Sequence, residues 1–324
     1  IKKDSQLFDE EKIERIQQII NEIRDKILKL KVIYIELDDE DDAYVVFETL
    51  NTRGKDLNVG DLIKNFLTKN IKAVNSNVDL PKDKWALLRK NIEGGNSEID
   101  IDTFLLHVWL SKYEYTTTKS LFKKVKTTIK PTKAKSFLDE LLKDSETYSV
   151  ISDPESKKWE KNEIALKESL RNLNFFRVTQ QTPMVLSIMR DYTNQKLRYK
   201  FAKEGLEGVE HFHYIFTAIT SQRSSGGIGT MYSSYARKLF DAPEDKKIEV
   251  IRELKLKMKD KIPSYDEFLA NFKSLKFTNS FTKQKRTIHY TLSKIDLFYN
   301  TNGASINYDK MTLEHILPQN PQEK

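Results

Sequence analysis

The stretch Glu10–Leu30, EEKIERIQQIINEIRDKILKL, sets the helical character of the chain. Its isoleucines recur at steps of three and four residues, which places them on one face of a helix. Seven further segments have the same periodicity, and the connectors between them contain Pro or Gly. These segments are Trp85–Ile92, Ile101–Tyr113, Ala134–Leu142, Glu160–Leu173, Pro183–Tyr192, Val209–Ser221 and Thr230–Phe240. The sequence therefore predicts a mostly α-helical α+β protein with a long helical body.

The segment after the first helix departs from this pattern. Lys31–Leu37 is rich in β-branched and aromatic residues and predicts a strand. The acidic run Asp38–Asp42 is typical of a helix N-terminus and predicts a helix that starts there. Gly54 is predicted to end this helix. A second helix is predicted to begin near Asn58 or Asp61. We therefore expect a small α/β portion ahead of the helical body.

Bulk composition excludes several classes of protein. The 324 residues contain no cysteine, so disulfides and thiolate chemistry are excluded. No apolar run approaches the ~20 residues that a membrane span needs, and we expect a cytoplasmic protein with no membrane partner. The chain starts with Ile1 rather than Met, so we expect a fragment with residues missing upstream.

Two segments of this chain, whose formal charge is +7, contain basic but no acidic residues. Tyr115–Leu138 has two possible interpretations, a solvated lysine-rich surface and a surface that binds nucleic acid. In Phe268–Ile295, the cations alternate with aromatic residues and lead toward a motif described below, which favours a DNA-facing surface. The residues predicted to bind DNA there are Lys283, Lys285 and Arg286.

The run Phe47–Lys55, FETLNTRGK, is the first candidate site. A helix that ends at a glycine would expose donors and cations on one polar turn, where they can hold a phosphate. An ordinary helix C-terminus is the alternative that composition alone favours. The residues predicted to bind nucleotide are Glu48, Asn51, Arg53 and Lys55.

The run Asp41–Asn70 resembles the N-terminal domain of GmrSD-type restriction endonucleases, a ParB/sulfiredoxin-like NTPase domain. The family's Phe-(Asp/Glu)-x-x-Asn motif is matched here by Glu48 and Asn51. The resemblance implies that a nucleoside triphosphate is bound and hydrolysed at this motif. The family's second motif, Asp-Gly-Gln-Gln-Arg, is absent from this sequence, and we expect it upstream of Ile1.

The run Thr312–Asn320, TLEHILPQN, is the second candidate site. Adjacent carboxylate and imidazole groups suit a metal-dependent nuclease, with Glu314 as a metal ligand and His315 as the general base that activates water. Glu-His-Ile-x-Pro also resembles the start of the HNH nuclease domain at the C-terminus of the same family. The resemblance implies a divalent metal, Mg²⁺, and further site residues that we expect beyond Lys324.

Three other features have structural explanations. His107 lies in an apolar helix and is predicted to be a core histidine. His211 and His213 are spaced poorly for shared ligation on a helix and are predicted to pack or to lie at the surface. The glycine-rich run at 226–230 lacks the rest of a P-loop and is predicted to be a helix-entry turn.

Together these features predict three regions: the C-terminal part of an NTPase domain at 1–75, a helical middle at 76–268, and the beginning of an HNH domain at 269–324. From about Phe272 the sequence changes to shorter alternating stretches, so we expect the HNH portion to open with a β-rich segment. The predicted function is a nucleotide-regulated, metal-dependent endonuclease of a restriction or antiviral defence system that cleaves foreign, modified DNA. The partners are DNA and nucleotide, and a homo-oligomer stays open. Two alternatives also stay open: a nucleotide-gated DNA-binding or interaction module with an inactive nuclease domain, and a nuclease acting on RNA or single strands.

Overall fold

The structure is a computed structural model that describes residues 2–31, 58–71, 80–94, 99–222, 227–278 and 280–299. The chain forms two compact units, Ile1–Leu57 and Asn58–Lys324. Helix α1, Lys2–Leu28, is the element described in the first unit, and it confirms the helix expected from the isoleucine pattern. The predicted strand Lys31–Leu37 and the helix expected before Gly54 fall almost entirely outside the described residues.

The described part of the second unit is helical, apart from an isolated antiparallel bridge between Thr278 and Phe281. This confirms the mostly α-helical fold class. Three-residue 3₁₀ turns precede several helices, and a π-helical segment, Tyr214–Ile219, follows the ninth helix directly. The α-helices are α2 Val59–Asn70, α3 Leu80–Glu93, α4 Ile101–Lys112, α5 Thr118–Thr128, α6 Ala134–Ser152, α7 Ile164–Phe175, α8 Thr182–Thr193, α9 Tyr199–His213, α10 Gly227–Asp241, α11 Lys247–Lys259, α12 Tyr265–Lys273 and α13 Lys285–Tyr299.

The N-terminus of α2 is held by side chains from two places in the chain. The Oδ1 atom of Asn58 accepts a hydrogen bond from the Gly60 N–H at 2.9 Å. The carboxylate of Asp102, in the first turn of α4, accepts from the Val59 N–H at 3.0 Å and from the Gly60 N–H at 2.7 Å. These bonds satisfy N–H groups that a helix leaves unpaired at its start. The predicted helix start near Asn58 is confirmed.

The centre of the second unit is built on α4 and α8. Nine consecutive residues of α8, Pro183–Asp191, are buried, and α8 packs on α4, α6, α9 and α10. Three charged groups within this centre form one network: the Arg190 guanidinium lies 2.6 Å from the Asp144 carboxylate, and the Lys112 ammonium lies 2.9 Å from it. Buried charges are tolerated only when they are paired in this way. The network is therefore structural.

The structure corrects the prediction for the segment after Phe272. Shorter alternating stretches and the opening of a β-rich domain were expected there, and over the described residues this is wrong because α13 occupies Lys285–Tyr299. The segment does have helical periodicity, because Ile288, Leu292, Ile295 and Tyr299 recur at steps of three and four residues. Residues 300–324 of the expected HNH domain lie outside the described residues, and the bounds of the three regions stay predictions.

Candidate nucleic-acid interface

The nine predicted site residues divide into two groups. The three predicted DNA-binding residues lie in the described part of the chain, at the turn before α13 and in its first turn. The predicted nucleotide, metal and general-base residues lie outside it, and their roles stay predictions. These six are Glu48, Asn51, Arg53, Lys55, Glu314 and His315.

A cleft of about 700 Å³ runs between α7 and α13. Two predicted DNA-binding residues, Lys285 and Arg286, line it, whereas Lys283 is not among its lining residues. The structure brings further polar and cationic side chains to the same cleft from both helices. The other lining residues are Glu168, Arg171, Asn172, Asn174, Phe175, His289, Tyr290, Ser293, Lys294 and Leu297.

Cations and aromatic rings lie against each other at this end of α13. The guanidinium carbon of Arg286 lies 5.9 Å from the centre of the Phe175 ring, and the Lys285 ammonium lies 5.3 Å from that of Phe277. Both distances are in the range of cation–π attraction, which positions a cation without neutralising it. The cleft wall therefore combines positive charge with ring faces, as nucleic-acid surfaces do.

Two other cations of the cleft are compensated by carboxylates. The Arg171 guanidinium lies 2.9 Å from the Glu168 carboxylate on the same helix. The Lys294 ammonium lies 2.8 Å from the Glu210 carboxylate of α9. The positive potential of the cleft is therefore concentrated on Lys285 and Arg286.

Glu210 is fully buried beneath the cleft, and its carboxylate joins three helices. From α7, the Ser169 hydroxyl donates to it at 2.6 Å and the Asn172 amide at 3.0 Å. From α13, the Tyr290 hydroxyl donates at 2.8 Å, beside the Lys294 ion pair. We call this group of five residues the Glu210 clasp. Burial alone would raise the pKa of Glu210, but the Lys294 charge and the hydrogen bonds from Lys294, Ser169 and Tyr290 outweigh it, so the pKa lies below its ordinary value.

Tyr290 also anchors α13 through ring contacts. Its ring meets the Phe176 ring edge to face at 5.3 Å and lies 4.9 Å from the Tyr214 ring. The Tyr214 hydroxyl shares a 2.7 Å hydrogen bond with the hydroxyl of Thr291. Tyr214 is the first residue of the π-helical segment. The wider turn of this segment therefore provides the side chain that contacts Tyr290 and Thr291 of α13. Burial and the Glu210 charge raise the pKa of Tyr290, which keeps its hydroxyl a donor.

The three histidines that were predicted to pack or to lie at the surface, His107, His211 and His213, do so. His107 is buried, and its Nδ1 atom lies 2.7 Å from the Tyr148 hydroxyl, so it is a core histidine. His213 is buried between Thr217 and Tyr232, whereas His211 is exposed. Burial lowers the pKa of both His107 and His213 to about 4. Neither contacts the cleft, so we assign them to packing.

Two kinds of feature are absent from the described residues. These residues contain no group of three or more His, Asp or Glu side chains placed to hold a metal ion. Among the described helices, none combines the length and the apolar character that crossing a bilayer requires.

Sequence reasoning had no signal for Arg171 or for the Glu210 clasp. The clasp's hydrogen bonds join residues 38 to 80 positions apart, which no local pattern reports. Lys294 and His289 lie in the acid-free segment Phe268–Ile295, and α13 supplies the helical spacing that turns both toward the cleft.

Comparison with known protein families gave matches at both ends of the chain. Residues 1–68 match the family model described as GmrSD restriction endonuclease, N-terminal domain. Residues 262–324 match the one described as GmrSD restriction endonucleases, C-terminal domain. No curated protein matches the chain. The C-terminal match includes α13, so one wall of the cleft lies in a matched segment and the other wall, α7, lies outside both.

Proposed function

The chain belongs to the GmrSD-type restriction endonuclease family, and we propose that it is a DNA endonuclease whose cleft between α7 and α13 contacts the DNA backbone. The family supports a restriction or defence nuclease. The observation that carries the DNA contact is the placement of Lys285 and Arg286 in the cleft, where they are held against aromatic rings and, among the described residues, form no ion pair with a carboxylate.

The position of these two cations supports an anionic ligand. They occupy the first turn of α13, which contains no acidic residue. The N-terminus of a helix has a partial positive charge, so cations there repel it and cost stability. A phosphate in the cleft would offset that repulsion, because it attracts both the side chains and the helix terminus.

For catalysis, we propose that the metal-dependent chemistry predicted from the sequence takes place at Glu314 and His315. Glu314 offers a carboxylate, the donor type that Mg²⁺ prefers, and the neutral imidazole of His315 takes a proton from the attacking water. A bound Mg²⁺ would stabilise negative charge on the scissile phosphate. We further propose that a nucleoside triphosphate binds at Glu48 and Asn51 and regulates cleavage of foreign, modified DNA by a cytoplasmic enzyme.

A plasmid assay tests the proposed function. Supercoiled DNA, modified and unmodified, is incubated with the protein and Mg²⁺ or EDTA, with and without nucleoside triphosphate. We expect nicking that needs Mg²⁺ and changes with nucleotide. DNA binding without any nicking would instead indicate the interaction module with an inactive nuclease domain, and faster cleavage of RNA or single strands would change the substrate class.

A pair of variants tests the cleft. Lys285→Gln with Arg286→Gln removes two charges from the cleft, and Lys158→Gln with Lys259→Gln removes two exposed charges elsewhere. Affinity falls as the salt concentration rises, and each phosphate contact adds about 0.9 to the steepness of log affinity against log salt. The steepness should therefore be about 2 smaller in the cleft variant than in the wild type. The control should keep the wild-type slope. Equal slopes in all three proteins would refute the proposed contact.

A further inference from the structure

Helix α5 has a second concentration of positive charge, on a different part of the surface. It occupies Thr118–Thr128, within the acid-free segment Tyr115–Leu138. The sequence left two explanations open there, a solvated surface and a nucleic-acid surface. The structure supplies the direction in which these lysines point.

Three lysines of α5 share one face of the helix. At 100° per residue, Lys119, Lys123 and Lys126 fall within an arc of about 60°. All three are exposed. The buried residues of α5, Leu121 and Val125, lie on the opposite side. The three lysines therefore point away from the protein, and Lys130 continues the exposed basic segment after the helix.

The nearest acidic residues along the chain are engaged elsewhere. Glu114 pairs with Lys124 at 2.7 Å, on another side of α5. Asp139 pairs with Lys84, and Glu140 pairs with Lys112 at 3.0 Å. Among the described residues, no carboxylate forms an ion pair with Lys119, Lys123 or Lys130. Their charge is therefore available to a partner.

The spacing of the lysine face fits a nucleic-acid backbone. Lys119 and Lys123 are about 6 Å apart along the helix axis, and one strand of duplex DNA presents a phosphate about every 3.4 Å. Helix α5 itself adds no exposed ring of the kind that surfaces for single strands use, because its aromatic residue, Phe122, is packed against the core; the exposed ring of Tyr115 lies before the helix. These features favour a duplex over a single strand.

We propose that the lysine face, Lys119 and Lys123 with Lys130, binds the phosphate backbone of duplex DNA as a second contact, separate from the cleft. The inference rests on the proposed function, because it assumes a DNA substrate. A contact of this kind is independent of sequence. It would hold DNA on the protein while the cleft and the nuclease site engage the target.

Salt-dependent binding tests this proposal. The variant Lys119→Gln, Lys123→Gln, Lys130→Gln is compared with a matched control, Lys158→Gln, Lys161→Gln, Lys259→Gln, in which three exposed lysines elsewhere are neutralised. Binding of a fluorescein-labelled duplex of mixed sequence is measured by anisotropy over a range of salt concentrations. We expect the steepness of log affinity against log salt to be about 3 smaller in the α5 variant than in the wild type. At ~0.1 M salt, the variant should bind the duplex about tenfold or more weakly.

The outcomes separate this proposal from the proposed function. Failure of the wild-type protein to bind duplex DNA at all would refute the proposed function itself. Wild-type binding with an unchanged slope in the α5 variant would refute the α5 contact alone. An equal loss in the matched control would show that net charge, rather than this face, is responsible. A larger loss on single-stranded RNA than on the duplex would overturn the choice of partner.

Discussion

Tyr290→Phe is a minimal perturbation of the Glu210 clasp. It deletes one hydroxyl and keeps the ring that packs on Phe176 and Tyr214, so it leaves no sizeable cavity. The lost bond is a 2.8 Å donation to a fully buried carboxylate. Hydrogen bonds to charged groups contribute about 1.5–3 kcal/mol, and a buried carboxylate that loses a donor cannot recover it from water. We expect the free energy of unfolding to fall by about 2 kcal/mol.

Urea denaturation followed by tryptophan fluorescence measures this loss. Trp85, Trp109 and Trp159 are the chain's tryptophans, and all lie in the second unit, so the signal reports on that unit. The matched control is Tyr265→Phe, which deletes the same atom from a side chain that is 72% exposed and should leave the midpoint unchanged.

The effect should also depend on pH in a defined direction. The folded-state pKa of Glu210 is lowered, so the clasp stabilises the protein above the ordinary value of 4.5 and loses that contribution as the pH falls further. Tyr290→Phe and the wild type should therefore converge in stability on acidification. Identical urea midpoints for Tyr290→Phe and the wild type at about pH 7 would refute the clasp as a stabilising element.

Three other predictions concern separate parts of the molecule. Burial lowers the pKa of His107 and His213 from the ordinary value of 6.5 to about 4. As the pH falls through 6.5, these histidines become protonated in the unfolded chain before they do so in the folded protein, which favours unfolding. The urea midpoint should therefore be lower at about pH 5 than at about pH 7.5. A midpoint that rises on acidification would contradict this. Asp102→Ala removes two acceptors from the N-terminus of α2 and should cost about 1–2 kcal/mol in the same assay, with a smaller loss for Asp102→Asn, which keeps one oxygen. His315→Ala should abolish Mg²⁺-dependent nicking and leave nucleotide binding intact, and loss of both activities would mean that its assigned role is wrong.

Helices and helix starts were predicted correctly from the sequence wherever a local pattern determines them. Ile101–Tyr113 was predicted as a helix, and α4 spans Ile101–Lys112. Asn58 was predicted near a helix start and is the N-cap of α2. In both places the signal is local, because apolar spacing and a capping side chain act within a few residues.

The cleft could be predicted only in part, because it depends on contacts between distant segments. The composition of Phe268–Ile295 pointed to Lys285 and Arg286, which do line the cleft. It gave no indication of α7 as the opposite wall or of Glu210 beneath it. Glu210 lies in a helix whose sequence, YKFAKEGLEGVEHFH, also contains half-buried acids, and only its partners in α7 and α13 distinguish it.

The Glu210 clasp links stability to the proposed DNA contact. Arg171 and Lys294 are compensated by carboxylates, so attraction for phosphate rests on Lys285 and Arg286, both on α13. Helix α13 is buried only at Tyr290 and Thr291, so the clasp largely determines where those two cations sit relative to α7. Tyr290→Phe should therefore weaken duplex binding without changing any charge. The slope against salt should change less than in the Lys285→Gln, Arg286→Gln variant, because the cations remain and only their placement is loosened. Unchanged affinity in a variant that has lost stability would show that the cleft positions its cations independently of Glu210.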